Sequence, residues 1–181
     1  YLITTRCHQA RFFLRPDTKL NLAVLEWLTR AQHQFPELRI LAACVLSNHL
    51  HLVVHDRKGQ LAAWASYFLG NLARAVNRLR GRTGACFERR YSAEPILDDE
   101  ALLDRLVYTV TNPVAAGLCS RSDQWPGVVL FARRSRREEI PVSWTDRDPE
   151  RRERARARSR GEAPPGSETF RVESSLAIDP L

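Results

Sequence analysis

At 181 residues and 44% apolar side chains, the chain can bury one sizeable core, so one domain with an appendage is expected. Its net charge of +7 and pI of about 9.8 suit a partner rich in phosphates, and equally a basic protein with a charged tail. Four scattered cysteines without a Cys-x-x-Cys pair argue against a zinc ribbon or redox motif. No run is apolar enough to span a membrane or serve as a signal peptide, so a reducing cytoplasm is the expectation.

In chain order, residues 1–5 read as a strand of β-branched residues and Tyr. Residues 20–35 read as a helix with Leu22, Val24, Leu25 and Leu28 on its apolar stripe, stopped by Pro36. Residues 38–46 and 49–55 read as two strands joined by a Ser47-Asn48 turn, and Cys44 as a small buried hydrophobe. Residues 61–79 read as a long helix carrying Trp64, Phe68, Leu72, Val76 and Leu79 inward, with Arg74 and Arg78 sharing an exposed face. After a loop at 81–84, residues 87–97 read as a short extended segment. Asp98, Asp99 and Glu100 then suit the positive end of a helix over 101–112 that Pro113 ends, with one further turn at 114–118. Residues 133–137 and 151–160 are arginine-dense, and 163–166 contain Pro-Pro-Gly. The segment 132–181 is therefore expected to be a mostly disordered basic tail, with at most a marginal helix at 151–160. It would act as a nonspecific nucleic-acid arm or as a solubilising segment. The element order over 1–131 predicts an α+β, ferredoxin-like (RRM-like) antiparallel sheet with helices on one face and the other face free for ligand.

Two patterns carry chemistry. His49 and His51, two apart in a strand, point to one face, while Leu50, Leu52 and Val54 point to the other. Paired imidazoles on a sheet are half of a metal site. In the last helix Asp104, Tyr108 and Asn112 are spaced by four and share a face. Asn112 there can give a carbonyl oxygen to the metal, with Tyr108 one turn away as a nucleophile. A phenol is a weak nucleophile at neutral pH and needs activation. Two imidazoles and an amide oxygen suit Mn²⁺ or Zn²⁺ by ligand type, while Mg²⁺ is favoured by abundance.

The segment Leu46-Ser47-Asn48-His49-Leu50-His51-Leu52-Val53-Val54 resembles the His-hydrophobic-His (HUH) motif of single-tyrosine transposases. The segment from Leu106 to Leu118, with Tyr108 and an Asn112-Pro113-x-x-x-Gly117-Leu118 ending, resembles their tyrosine helix, closest to the REP-associated tyrosine transposase branch. The resemblance runs over about 1–131. It implies a metal-dependent single-stranded DNA endonuclease and strand transferase acting on hairpin-bearing DNA. In that reading Tyr108 attacks phosphorus to give a 5′-phosphotyrosine and a free 3′-hydroxyl. His49, His51 and Asn112 hold a divalent ion, Mg²⁺ or Mn²⁺. It also implies a bacterial cytoplasmic, nucleoid-associated protein acting as monomer or homodimer. Departures are Ser47 for a usual Pro, Thr109 for Ile, Cys86-Phe87 for Trp-Gln, and Gly127 for Ser.

Other assignments compete. Tyr91, beside Arg89 and Arg90, is a rival nucleophile, and His55 shares the parity of the histidine pair. Arg74, Arg78, Arg80, Arg82, Arg89 and Arg90 are expected to bind DNA phosphates, or else form a solvated face. A domesticated module that grips hairpin DNA or RNA without cutting is the alternative function. An unrelated RNA binder of the RRM type lacks a visible aromatic stacking strand.

Overall fold

The structure, a computed structural model, describes residues 1–132 and 137–180, so the arginine-dense stretch expected at 133–137 lies outside the described residues except for Arg137. The chain runs β1 (Leu2–Arg6), α1 (Thr18–Gln34), β2 (Leu38–Val45), β3 (His49–Asp56), α2 (Leu61–Leu79), β4 (Ser92–Glu94), α3 (Asp99–Ala115), β5 (Val129–Phe131), β6 (Glu138–Thr145), α4 (Arg147–Arg160) and β7 (Arg171–Ile178). The first sheet has the order β4-β1-β3-β2-β5, and its neighbours pair antiparallel. The first four strands give the expected ferredoxin-like arrangement; β5 at the edge of β2 was not foreseen.

Parity on β3 organises the layers. Leu50, Leu52 and Val54 enter the main core with Leu20, Val24 and Leu28 of α1 and Trp64, Phe68 and Leu72 of α2. Trp64 and Phe68 stack at 5.3 Å. On the opposite face Val53, Leu2 and Ala42 form a smaller cluster under Leu102, Leu106 and Val110 of α3. The expectation of helices on one face thus holds for α1 and α2. The other face is not left free, because α3 crosses it. Burial turns Thr109 and Pro113 inward and leaves Leu103 and Val107 53% exposed. In α1 the inward set is Leu20, Val24, Leu28 and Ala31, and Leu22 faces solvent.

Several boundaries differ for identifiable reasons. Asp17 accepts from Leu20 N at 2.9 Å and caps α1 two residues earlier than the stripe suggested. Pro113 lies inside α3 rather than ending it. In the last turn its missing N–H removes one bond, to the Thr109 carbonyl, and the helix closes three residues later. Gly117, at φ 68, and Leu118 then bond back to Val114 and Pro113. A register shift in β2 between Ile40 and Ala42 swaps its faces, so Ile40 and Ala43 both reach the main core while Ala42 reaches the α3 side. The edge strand beside β1 is interrupted. Glu88 N bonds Arg6 O, Ser92 pairs with Thr4, and residues 89–91 bulge between.

The tail expected to be disordered is folded in the described residues 137–180. β6 and β7 form a two-stranded sheet that packs on α1, and Val142, Leu176 and Ile178 join the main core. Both amide atoms of Gln32 bond the Ala177 backbone, at 2.8 and 2.9 Å. Asp179 N reaches Ile40 O at 2.9 Å. The alternation Ile140, Val142, Trp144 against Val172, Ser174, Leu176 is a period-2 pattern that the surrounding arginines and glutamates obscure. Burial of each of Val142, Leu176 and Ile178 contributes about 1.5–3 kcal/mol. Truncation after residue 131 is therefore expected to lower the unfolding free energy, measured by urea titration, by at least about 3 kcal/mol. A disordered tail would leave it unchanged.

Candidate active site

The β1–β3 register places Thr4 opposite His51 and Arg6 opposite His49, so all four share the face that α3 crosses. The imidazoles of His49 and His51 stand 5.0 Å apart, centroid to centroid, at 88°, and the Tyr108 ring lies 5.1 Å from His51. Asn112, one turn along α3, is buried, and its amide lies close enough to His49 to act on the imidazole's pKa. The structure therefore brings His49, His51, Tyr108 and Asn112 together from β3 and α3. Tyr108 is 43% exposed, so its side chain is open to solvent.

The histidines are held in defined states. His51 is 4% exposed and its Nδ1 lies 3.0 Å from Thr4 Oγ1. Its Nε2 is buried and has no hydrogen-bond partner. Burial, then the neighbouring His49 and Arg6, pushes its pKa down to about 4. At neutral pH it is uncharged, and with Nδ1–H donating to Thr4 the Nε2 lone pair is free. His49 donates from Nδ1 to Asn48 Oδ1 at 2.6 Å. Burial and the Arg6 charge lower its pKa, against a raising contribution from Asn112. Sequence reasoning missed Thr4, Arg6 and Asn48 as partners of this site. Only Asn48, adjacent to His49, left a local signal; Thr4 and Arg6 need the long-range register.

An unpartnered buried Nε2 beside a second neutral imidazole and a buried amide is a donor set that fits a divalent cation. Among the described residues no three His, Cys, Asp or Glu side chains gather into a metal cluster. The protein would therefore supply two imidazoles and an amide oxygen, leaving positions for oxygens of a ligand.

The competing residues fall elsewhere. Tyr91 packs against the main core and lines a groove with Ala65, Ser66 and Gly70 of α2, away from the histidine pair. His55 is solvated at the end of β3, and Asp104 is exposed. The six arginines divide into four settings. Arg80 braces the loop before α1, bonding Phe13 O at 3.0 Å, Arg15 O at 2.5 Å and Asp17 at 2.5 Å. Arg82 lies over the Phe13 ring at 3.7 Å and bonds Asn77 and Ala85 O. Arg74 and Arg78 are on α2, across the sheet from Tyr108; Arg74 bonds Asn71 at 2.7 Å. Arg89 and Arg90 are exposed in the edge-strand bulge, level with Thr5 between the rows of the two histidines.

Of the departures, Gly127 has a structural reason, and nothing in the structure explains Thr109. A Cβ on Gly127 would stand 2.3 Å from Trp125 Nε1 and 2.9 Å from Val45 O, where the Trp125 indole donates to Val45 O at 3.0 Å. Thr109 is fully buried and its hydroxyl has no partner.

No protein-family model matches the chain. A Haemophilus influenzae protein described as a REP-associated tyrosine transposase is 27% identical over 115 residues, covering 58% of this chain. The chain spans 65% of the length of that curated relative. A solved REP-associated tyrosine transposase bound to a REP hairpin has the same fold, with a TM-score of 0.55 over 70% of this chain and 73% of the other, at 16% identity. In sequence and in fold the chain is thus similar to REP-associated tyrosine transposases. Among the described residues no helix is long and apolar enough to cross a membrane.

The depressed His51 pKa gives a stability signature. Between pH 6.5 and about 4 the unfolded chain takes up a proton that folded His51 refuses, so stability falls as pH falls through this window. At pH 5 the loss relative to pH 7.5 amounts to about 2 kcal/mol in the metal-free protein. Urea titrations in EDTA at the two pH values should show His51→Gln reducing the pH-dependent loss by about that amount. An unchanged difference would place the His51 pKa near its ordinary value.

Proposed function

We propose that the protein is a single-tyrosine DNA-nicking and rejoining enzyme that acts on hairpin-bearing single strands in the manner of a REP-associated transposase. The observation that carries this reading is the meeting of Tyr108 and Asn112 with His49 and His51, residues of two elements far apart in sequence, on one face of the sheet. The similarity of sequence and fold to proteins of that description supports it.

In this mechanism Tyr108 Oη forms a bond to a backbone phosphorus as the bond from phosphorus to the 3′ oxygen breaks. The proton given up by the phenol is matched by the one gained by the departing 3′-hydroxyl. The phosphotyrosine conserves the bond energy, so rejoining to another 3′-hydroxyl consumes no nucleotide cofactor. A divalent cation held by His49, His51 and Asn112 would neutralise charge developing on the phosphate oxygens. Thr4 fixes the His51 ring through Nδ1, as Asn48 does for His49. Arg6, exposed beside His49, supplies a fixed positive charge for a non-bridging oxygen. The half-exposed Tyr108 leaves room for a single strand, whereas a stacked duplex would have to open to bring a phosphorus to it.

The test is incubation with single-stranded hairpin DNA and Mn²⁺ followed by a denaturing gel. The wild-type chain is expected to give a covalent protein–DNA band and Tyr108→Phe to give none, while its DNA binding remains. Tyr91→Phe should keep the band. Hairpin binding by the wild type without any covalent band would favour the non-cutting module. A band that survives Tyr108→Phe would remove Tyr108 as nucleophile.

A further inference from the structure

The nicking chemistry uses nothing after β5, yet the C-terminal module is firmly built. Trp144 at the end of β6 packs against Arg30 of α1, which lies 4.8 Å from both the Trp27 and the Trp144 rings. Asp146 N bonds Phe170 O at 2.8 Å and fixes where α4 begins. α4 is capped at both ends, by the Asp146 side chain and by Gly161 at φ 70. It buries only Ala157, so core packing is not its purpose.

Only part of the charge on α4 is paired within the helix. Glu150 pairs with Arg154 at 2.9 Å, and Glu153 with Arg156 and Arg160 at 3.6 and 3.5 Å. Among the described residues Arg151, Arg152 and Arg158 have no carboxylate partner, and Arg152 donates to the Asp148 carbonyl at 3.3 Å. These three line an open groove of about 800 Å³ along one side of the helix, together with Asp148, Ala155 and the paired Arg154. Through Asp148 it adjoins a second groove, of about 500 Å³, where Lys19, Arg78 and Arg147 stand with Glu26 and Asp146. Arg154 stands one turn from both Arg151 and Arg158, and like charges so spaced cost a helix about 0.2–0.5 kcal/mol per pair. Solubility alone does not call for gathering the unpaired arginines on one face.

We infer that α4 is a docking helix for duplex DNA, placed on the side of the sheet opposite Tyr108. The site rests on the reading above for the choice of DNA among polyanions. α1, to which the module is anchored, covers the Leu50, Leu52 and Val54 face, so a strand seated at Tyr108 does not lie along α4. The segment that α4 holds is a different part of the substrate. A straight helix about 10–12 Å across fits the major groove or the straight edge of B-form DNA. From Arg151 to Arg158 it runs about 10 Å, a length over which a duplex carries roughly six charges. A hairpin stem, or duplex beside the cut, supplies that partner, and Arg78 and Lys19 extend the contact.

The experiment compares the full chain with the Arg151→Ala/Arg152→Ala/Arg158→Ala variant. Alanine preserves helix, which circular dichroism checks. Fluorescence anisotropy follows binding to a blunt duplex and to an unstructured single-stranded oligonucleotide over a salt series. The variant is expected to bind duplex at least about tenfold more weakly, with a log–log salt slope smaller by about 2–3, at roughly 0.9 per lost phosphate contact. Single-strand affinity and adduct formation on a short substrate should stay within about twofold. Unchanged duplex affinity and slope would make α4 solubilising only and overturn the inference. So would an equal loss on single strands, or tighter binding of duplex RNA than of duplex DNA. If the wild type forms no adduct while the duplex loss occurs, the nicking mechanism fails and the docking helix stands.

Discussion

The two-sidedness of β3 governs the rest of the molecule. Leu50, Leu52 and Val54 are essentially fully buried between the sheet and the α1/α2 layer. A slip of one residue would place both imidazoles in that core and expose three aliphatic side chains, a change costing several kcal/mol. The core thus locks the histidines on the opposite face. The antiparallel register with β1 then decides what they meet, Thr4 beside His51 and Arg6 beside His49. Packing of Leu102, Leu106 and Val110 on the same face lowers α3 until the Tyr108 ring stands 5.1 Å from His51.

Packing and chemistry pull against each other at this site. A buried imidazole lacking a partner on Nε2 costs stability, as does the partnerless hydroxyl of Thr109 in the same helix as Tyr108. The neutral state of His51 follows from that burial, and neutrality is what a nitrogen needs to donate a lone pair. Cys44, directly across β2 from His51, shows the same environment, with burial pushing its thiol up to about 12. The site favours uncharged groups on its sheet side, while half-exposed Tyr108 marks its open side.

Much of this was legible in the sequence where the determinants are local. The α2 bounds of 61–79 follow from the periodic apolar set that includes Trp64 and Val76. The shared face of His49 and His51 follows from strand alternation, and the spacing of Tyr108 and Asn112 from the helical repeat. Long-range determinants were not legible. The partners Thr4 and Arg6 depend on the pairing of β1 with β3, and the faces of β2 on a bulge that leaves no composition signal. The roles of Arg80 and Arg82 depend on where the loop around Phe13 lies. The C-terminal module was hidden by its charge. Its few apolar residues, Val142, Leu176 and Ile178, find a core only because α1 offers one, and Gln32 satisfies the backbone of β7 at buried Ala177.

The most direct measurement is pulsed electron paramagnetic resonance of Mn²⁺ bound to the full chain, which reads nitrogen coupled to the ion. The pairing of His49 and His51 on one face predicts couplings from two imidazole nitrogens, falling to one in His49→Ala and in His51→Ala and unaltered in His55→Ala. A spectrum without nitrogen coupling, or couplings that survive both single substitutions, would contradict a site built on the two histidines of β3.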